Sequence, residues 1–139
     1  MSVDSAGMAA RLGIKPGMVV QELGWDEDAD EGLRDEIIEL SGSEMVDEDT
    51  DEVADVVLLW WREDDGDLFD ALTDAITSLG EDGVVWLLVP KSGRPGHVEP
   101  GDVTEVAPTA GLQQTSSVSA AKDWSGIRLV SPKTARSRR

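Results

Sequence analysis

The sequence predicts an α/β fold, a mostly parallel sheet that has helices on both faces and ends in an antiparallel hairpin. Three observations support this fold class. Apolar runs alternate along the chain with segments whose apolar residues recur at helical spacing. Residues 56–61 and 84–89 are apolar at every position, which is typical of parallel strands buried on both faces. Residues 113–120 and 127–130 then show two short strand patterns close together, and these indicate the hairpin.

The first part of the chain predicts a strand, a helix and a weak second strand. Residues 18–23 are mainly apolar and are followed by glycine, which favours a strand that turns there. Apolar residues three and four positions apart predict a helix over residues 31–40. Residues 44–46 predict a short strand, and the acid-rich residues 47–52 predict an exposed loop.

The middle of the chain predicts a second strand and helix. Residues 53–61 form the clearest buried strand. Asp67 suits the N-cap of the helix that follows, because its side chain can accept hydrogen bonds from the first free amides. The apolar stripe of that helix runs to Leu79, and Gly80 is a typical helix stop.

The C-terminal part predicts a further strand, a short helix and the hairpin. Asp82-Gly83 predicts a turn into the strand of residues 84–89. Pro100 favours the first turn of a helix, which is expected to end near Ala107 because another proline follows it.

Length and composition are those of one globular domain. The chain has 139 residues, and a hydrophobic share of 40% is enough for a buried core despite a net charge of −17. We assign residues 1–133 to one domain and the basic residues 134–139 to a disordered tail. No apolar run approaches the roughly 18–20 residues that cross a bilayer. The N-terminus lacks the pattern of a signal peptide, so we expect a cytoplasmic protein.

The charge is concentrated in one segment. Residues 22–82 contain 24 acids and two bases, Arg34 and Arg62, for a net charge of −22, whereas residues 91–139 have a net charge of +4. Because phosphates would be repelled, direct nucleic-acid binding is disfavoured and a basic protein partner is favoured. An acidic coat that only keeps the protein soluble is the alternative. The chain has no cysteine, which excludes disulfides, thiolate metal sites and thiol redox chemistry.

The order of the predicted elements resembles the three-layer Rossmann-like sheet of class I methyltransferases. The resemblance covers most of residues 17–131 and implies the strand order 2-1-3-4-6-5, with strand 6 antiparallel. The cofactor loop of such a fold needs glycines so that the backbone can approach the cofactor. Here Glu22-Leu23-Gly24 keeps one acid and one glycine, and bulky or charged residues fill the next four positions. Residues 47–55 are also too few for the unit that builds the adenosine pocket, so we expect no cofactor and no enzyme activity.

Several segments resemble one family of uncharacterised actinobacterial domains. They are Ala9-Ala10-Arg11-Leu12-Gly13-Ile14, Glu22-Leu23-Gly24-Trp25-Asp26, Gly96-His97-Val98-Glu99-Pro100, Ala107-Pro108-Thr109-Ala110-Gly111-Leu112, Thr115-Ser116-Ser117-Val118-Ser119-Ala120 and Asp123-Trp124-Ser125-Gly126. A mycobacterial member of this family is an oxidative-stress regulator that acts through cysteines and binds a stress sigma factor. The resemblance therefore implies transcriptional regulation through protein contact. Because this chain has no cysteine, the thiol switch does not carry over.

Together these features favour a non-catalytic regulatory protein that binds a basic partner, such as a sigma factor or RNA polymerase. The acids assigned to the docking surface are Asp26, Asp28, Asp47, Glu48, Asp49, Asp51 and Glu52. One exposed ion pair contributes well under ~1 kcal/mol. Together, however, the acids create a field that steers a basic surface towards them.

The alternative function is a small-ligand-binding, degenerate methyltransferase-like domain. Open α/β sheets bind ligands at the carboxyl ends of their parallel strands. Trp25, Arg62 and Lys91 follow three such strands and could ring one cleft for a small anion or a peptide carboxylate. A vestigial cleft filled by the protein's own side chains is the competing interpretation.

The other candidate residues have simpler interpretations. His97 is the one histidine, which excludes a multi-histidine metal site, and its Gly/Pro loop indicates a turn residue. Residues 47–52 lack the spacing and the glycine of a calcium loop, so no metal site is predicted. The polar strand at residues 113–120, if it lies at an edge, offers backbone groups to a partner. The tryptophans of the two apolar strands are expected in the core: Trp60, Trp61 and Trp86.

Overall fold

The computed structural model describes residues 9–47, 49 and 52–130, apart from the side chains of residues 81 and 82. Helices and strands alternate as the fold class requires. In chain order the main elements are β1 (Val20–Leu23), α1 (Glu31–Ser41), β2 (Ala54–Trp60), α2 (Leu68–Ala75), β3 (Leu79–Pro90), α3 (Pro100–Thr109), β4 (Gln113–Ser119) and β5 (Trp124–Val130). The predicted tail, residues 134–139, lies outside the described residues. No described helix has both the length and the apolar character needed to cross a membrane.

The strands form one sheet in the order β1-β2-β3-β5-β4. Val46 makes a single parallel bridge to Gln21 on the outer side of β1, where the weak second strand was predicted. The strand order is therefore the predicted one. The prediction of a mostly parallel sheet is wrong, however, because β5 pairs antiparallel with both β3 and β4 and the sheet is mixed. A hairpin needs only a short turn, whereas a further parallel strand would need a crossover of about a dozen residues.

Helices cover both faces of the sheet, which gives three layers. Side chains of β2 alternate between the faces, with Val57 and Leu59 in the cluster that contains residues of α2 and α3. Val56 and Leu58 lie in the opposite cluster, with residues of α1. The three tryptophans predicted for the core are buried, with exposed fractions of 0%, 7% and 2% for Trp60, Trp61 and Trp86.

The helix boundaries follow local capping signals. The side chain of Asp30 accepts the amide of Leu33 at 2.8 Å and starts α1, and Gly42, with a φ of +87°, ends it. Asp67 accepts the amides of Phe69 and Asp70 and starts α2, as predicted. Pro100 is in the first turn of α3, also as predicted.

Two predicted features between α2 and β3 are wrong. The helix ends at Ala75 and does not reach Gly80, because Leu79 already pairs with Ala54 as the first residue of β3. The predicted turn at Asp82-Gly83 lies inside the strand. Ala54 pairs with Leu79, and Val56, two residues later on β2, pairs with Val84, five residues later on β3. A bulge in β3 accommodates the extra residues.

Candidate functional site

The topology creates a crevice at the carboxyl ends of β1 and β2. After β1 the chain passes through α1 to Val46 on the outer side of β1, and it then crosses back to β2 on the other side. Open α/β sheets bind ligands at such a reversal of strand order. The candidate site therefore consists of the segments that follow β1, β2 and β3.

Gly24, the first residue after β1, brings two of these segments into contact. Its φ is +76°, and a Cβ on it would lie 2.3 Å from the carbonyl oxygen of Trp60. A side chain would collide with that backbone, so close approach to the end of β2 requires glycine here. The one glycine that the chain keeps from the Rossmann-like pattern thus lets the end of β1 pack against the end of β2.

Arg62, two residues beyond β2, fills the crevice. Its Nη1 donates to the carbonyl oxygen of Gly24 at 2.7 Å and to Asp65 at 3.1 Å. Its Nε donates to Asp28 at 3.1 Å and its Nη2 to the other oxygen of the same carboxylate, so the pair is bidentate. The guanidinium carbon also lies 5.2 Å from the ring centre of Trp124. With 12% of its side chain exposed, Arg62 joins the segments after β1 and β2 to the start of β5.

Asp28 closes the crevice from the other side. Hydrogen bonds from Arg62 lower the pKa of the Asp28 carboxyl, and they outweigh the opposite effect of partial burial. The backbone carbonyl of Asp28 accepts the indole N–H of Trp124 at 3.2 Å. Asp28, which the sequence assigned to the docking surface, is therefore engaged within the fold, although its side chain is still half-exposed.

Two buried tryptophans and a carboxylate lie beneath this network. The rings of Trp60 and Trp124 meet edge to face, with their centres 4.8 Å apart. The indole N–H of Trp60 donates to Glu22 at 2.9 Å, and Arg34 of α1 donates to both oxygens of Glu22 at 2.6 and 2.8 Å. The acid that the chain keeps from the Rossmann-like pattern thus already has three donors from its own fold.

The cavity beside the Arg62 network is too small for a nucleoside cofactor. A cavity of about 180 Å³ is lined by Asp28, Pro90, Arg94, Pro95, Asp123 and Trp124. Sites for small molecules and cofactors usually have volumes of about 300–1,000 Å³. The ion pair between Arg94 and Asp123, at 3.3 Å, spans part of its wall. With Arg62 filling the crevice, the residues that line it do not fit S-adenosylmethionine, the cofactor that the fold implies.

The three residues predicted to ring a cleft lie in different surroundings. Arg62 fills the crevice, as described above. Trp25 is 49% exposed, and its indole N–H donates to Glu31 at 3.3 Å. Lys91 donates to the hydroxyl oxygen of Ser119, on β4, at 2.6 Å. Among the described residues no hydrogen bond, ion pair or ring contact joins these three side chains.

The described acids among the rest of the predicted docking surface are exposed. The carboxylate of Asp26 accepts the amide of Glu27 at 2.7 Å, and that of Asp47 accepts the amide of Asp49 at 3.0 Å. Glu52 is exposed as well, whereas Glu48 and Asp51 lie outside the described residues. In the described part of the chain, no group of three or more acids or histidines could hold a metal ion.

His97 is a turn residue of the loop after β3, as predicted. Its Nδ1 lies 3.0 Å from the carbonyl oxygen of Pro90, and its Nε2 lies 3.7 Å from the carboxylate of Glu99. These contacts tie the histidine to its own loop.

A second cavity, which the sequence did not indicate, lies between β1 and α2. Its volume is about 460 Å³, and it is lined by Gln21, Leu23, Gly24, Leu59, Ala71, Asp74, Thr77 and Ser78. Gln21 is 2% exposed, and its amide nitrogen donates to the carbonyl oxygen of Asp47 at 3.0 Å. Its Oε1 is buried and accepts no hydrogen bond from the described residues. A buried acceptor without a donor costs roughly 1–3 kcal/mol.

The strand order and layers define a methyltransferase-like α/β fold, and comparison with solved structures agrees. An S-adenosylmethionine-dependent methyltransferase from Aquifex aeolicus matches with a TM-score of 0.62 and 14% identity, over 91% of this chain and 88% of the other. The glycopeptide N-methyltransferase MtfA matches with a TM-score of 0.60 and 14% identity, over 94% and 90% of the two chains. At such low identity the similarity shows the fold alone.

The chain belongs to a protein family of unknown function, DUF3052, whose family model matches residues 9–133. Uncharacterized proteins of Mycobacterium tuberculosis (strain H37Rv) and Mycobacterium bovis are each 56% identical to it over 130 residues, which is 94% of this chain and 82% of the relative. The resemblance to a family of uncharacterised domains with mycobacterial members is thereby confirmed.

Proposed function

We propose that this protein is a non-catalytic regulator that acts in transcription by binding a basic partner, such as a sigma factor or RNA polymerase. The observation that carries the non-catalytic part is the Arg62 network. The crevice where a methyltransferase-like fold binds its cofactor holds a bidentate ion pair and two tryptophan rings instead. The role in transcription rests on the family resemblance of the segments described above.

The distribution of charge supports a basic partner. The acidic segment, residues 22–82, contains two bases, and both are paired inside the fold. Arg34 pairs with Glu22 and Glu31, and Arg62 pairs with Asp28 and Asp65. Because the segment has 24 acids, its net charge of −22 can attract an external partner. A protein surface that normally faces DNA would carry the complementary charge.

Partner binding can be tested by surface plasmon resonance with purified sigma factors and RNA polymerase at several ionic strengths. We expect the association rate to fall steeply with salt, because electrostatic steering raises such rates by about 10–10³-fold at low ionic strength. Neutralising Asp47, Glu48, Asp49, Asp51 and Glu52 together should lower the association rate without unfolding the domain, as circular dichroism would verify. Binding that is insensitive to salt would contradict the proposal. So would an association rate that is unchanged in the variant with all five acids neutralised.

The non-catalytic part has its own test. Isothermal titration with S-adenosylmethionine should give no saturable binding at micromolar concentration, because Arg62 and its partners fill the crevice. Saturable micromolar binding by the wild-type protein would overturn this part of the proposal.

Small-ligand binding is a second candidate function, and the cavity beside Gln21 favours it. A ligand with a hydrogen-bond donor could donate to the Oε1 of Gln21. Its binding would then remove the free-energy penalty of a buried acceptor without a donor. A thermal-shift screen with nucleotides and S-adenosyl compounds tests this function. A compound that stabilises the wild type and not Gln21→Met would support it, and a screen without any such compound would exclude these ligand classes.

A further inference from the structure

Trp25 presents an aromatic surface among acids at the carboxyl end of the sheet. Its side chain is 49% exposed, whereas the other four tryptophans are 0–7% exposed. Trp25 follows β1, whose carboxyl end lies beside that of β2.

Trp25 is held in place although it is exposed. Its indole N–H donates to Glu31 at 3.3 Å, and the guanidinium of Arg34 lies 5.7 Å from its ring centre. Arg34 is itself fixed by ion pairs with Glu22 and Glu31. A side chain that is already ordered loses little conformational entropy when a partner binds, and large aromatic residues are the commonest interface anchors.

The acids around this aromatic surface are available to a partner. Asp26 and Glu27 follow Trp25 directly, and Glu63 and Asp64 lie in the short 3-10 helix after β2 (Glu63–Asp65). All four are exposed, and none of them forms an ion pair within the described residues. The surface therefore combines a positioned aromatic side chain with exposed carboxylates that form no ion pair within the described residues. A basic segment of a protein has the complementary chemistry.

We propose that Trp25 and the four acids, here named the Trp25 surface, dock the basic partner, and that an arginine of the partner stacks on the Trp25 ring. This inference rests on the proposed function and specifies where and how the partner is held. A cation within about 6 Å of an indole centre is attracted by the ring. Arginine fits better than lysine because its planar guanidinium stacks on a ring and also donates to carboxylates. The fold itself contains this arrangement twice, as Arg34 against Trp25 and Arg62 against Trp124.

The first test titrates a hexa-arginine peptide into ¹⁵N-labelled protein and follows the five indole N–H signals by NMR. The signal of Trp25, identified by its loss in Trp25→Phe, should shift in a saturable way. The four buried tryptophans serve as internal controls and should shift much less. A Trp25 signal that stays in place, or moves no more than the other four, would overturn the inference.

A variant series separates ring stacking from general charge attraction. Trp25→Leu keeps an apolar side chain without the ring. It should raise the Kd for hexa-arginine about two- to fivefold, the change that corresponds to the free energy of one exposed cation–π contact. Trp25→Phe should lie between Trp25→Leu and the wild type. The matched control is Val53→Ala, because Val53 is 66% exposed but precedes β2, at the opposite end of that strand. Equal affinities for Trp25→Leu and Val53→Ala would also overturn the inference.

The two proposals fail in different ways. With a sigma factor or polymerase as the analyte, Trp25→Leu should speed dissociation and leave the salt dependence of association unchanged. The variant with all five acids neutralised should weaken the salt dependence of association and leave the dissociation rate unchanged. If no such partner binds the wild type, the proposed function fails. If a partner binds but Trp25→Leu dissociates at the wild-type rate, the inference about the Trp25 surface fails alone.

Discussion

Arg62 and Arg94 each pair with an aspartate, but their surroundings differ greatly. The side chain of Arg62 is 12% exposed and bonds to a backbone carbonyl as well as to Asp28 and Asp65. Arg94 is 52% exposed and has one ion pair, with Asp123. We expect Arg62→Met to lower the free energy of unfolding by about 2–3 kcal/mol, since hydrogen bonds to charged groups contribute about 1.5–3 kcal/mol.

Arg94→Met is the matched control for that prediction. An exposed ion pair contributes about 0–1 kcal/mol, so this variant should unfold at nearly the wild-type urea concentration. Urea unfolding followed by tryptophan fluorescence measures both variants. Equal midpoints for Arg62→Met and Arg94→Met would mean that the network at the crevice does not hold the loops together.

The pair of Arg62 and Asp28 also predicts how stability depends on pH. Hydrogen bonds from Arg62 lower the pKa of Asp28 in the folded protein from its ordinary value of 3.8. A carboxyl with a lowered folded pKa contributes stability above its unfolded pKa and loses it as the pH falls through the folded pKa. The stability difference between wild type and Asp28→Asn should therefore be constant at neutral pH and shrink below about pH 4. Urea unfolding at pH 7, 4 and 3 measures it, and a difference that does not shrink would contradict the assignment.

At the scale of elements, β2 and β3 should be the most stable part of the fold. β2 is paired on both sides, and Leu58 at its centre is 0% exposed. Their amides should exchange most slowly with deuterium, because they open only when the whole domain unfolds. Leu58→Asp buries an unpaired charge and should abolish folding. Val53→Asp adds the same charge just before the strand, at an exposed position, and should leave the domain folded.

Local signals predicted the elements well, and long-range contacts explain where they failed. Asp67 and Pro100 act within their own helix turns, so the sequence alone indicates both helix starts. The end of α2 was missed because Leu79 is drawn into the sheet by pairing with Ala54, 25 residues earlier. The residues near Leu79 in the sequence do not indicate this pairing.

The site was predicted less well than the fold, for the same physical reason. Loop positions indicated that Arg62 lies near the crevice, but its partners Asp28 and Gly24 are 34 and 38 residues away. The contact between Trp124 and Asp28 spans 96 residues. One signal was available in the sequence: Arg62 is one of two bases in a segment with a net charge of −22 and directly follows an apolar strand. A lone cation in such a place is expected to find carboxylate partners.

At the scale of the molecule, the fold separates the acidic part from a neutral part. The acidic segment forms β1, α1, β2 and α2, at one side of the sheet. From residue 91 to residue 130, the part that forms α3, β4 and β5, the chain has four acids and four bases and is neutral. A basic partner is therefore attracted to the β1 side, which also carries the Trp25 surface. The same concentration of charge makes the folded domain repel itself.

Salt should consequently act on stability and on partner binding in opposite directions. Between 10 and 300 mM sodium chloride the screening length falls from about 30 Å to below 10 Å, which is shorter than the domain. Screening relieves the repulsion among the acids, so the Tm should rise, while association with a basic partner should slow over the same range. Neutralising Asp47, Glu48, Asp49, Asp51 and Glu52 should flatten both dependences together, because both arise from one field. Calorimetry and plasmon resonance in the same buffers measure the two effects. A Tm that is independent of salt would mean that the acids are already screened from one another, and the steering of a basic partner would then lose its physical basis.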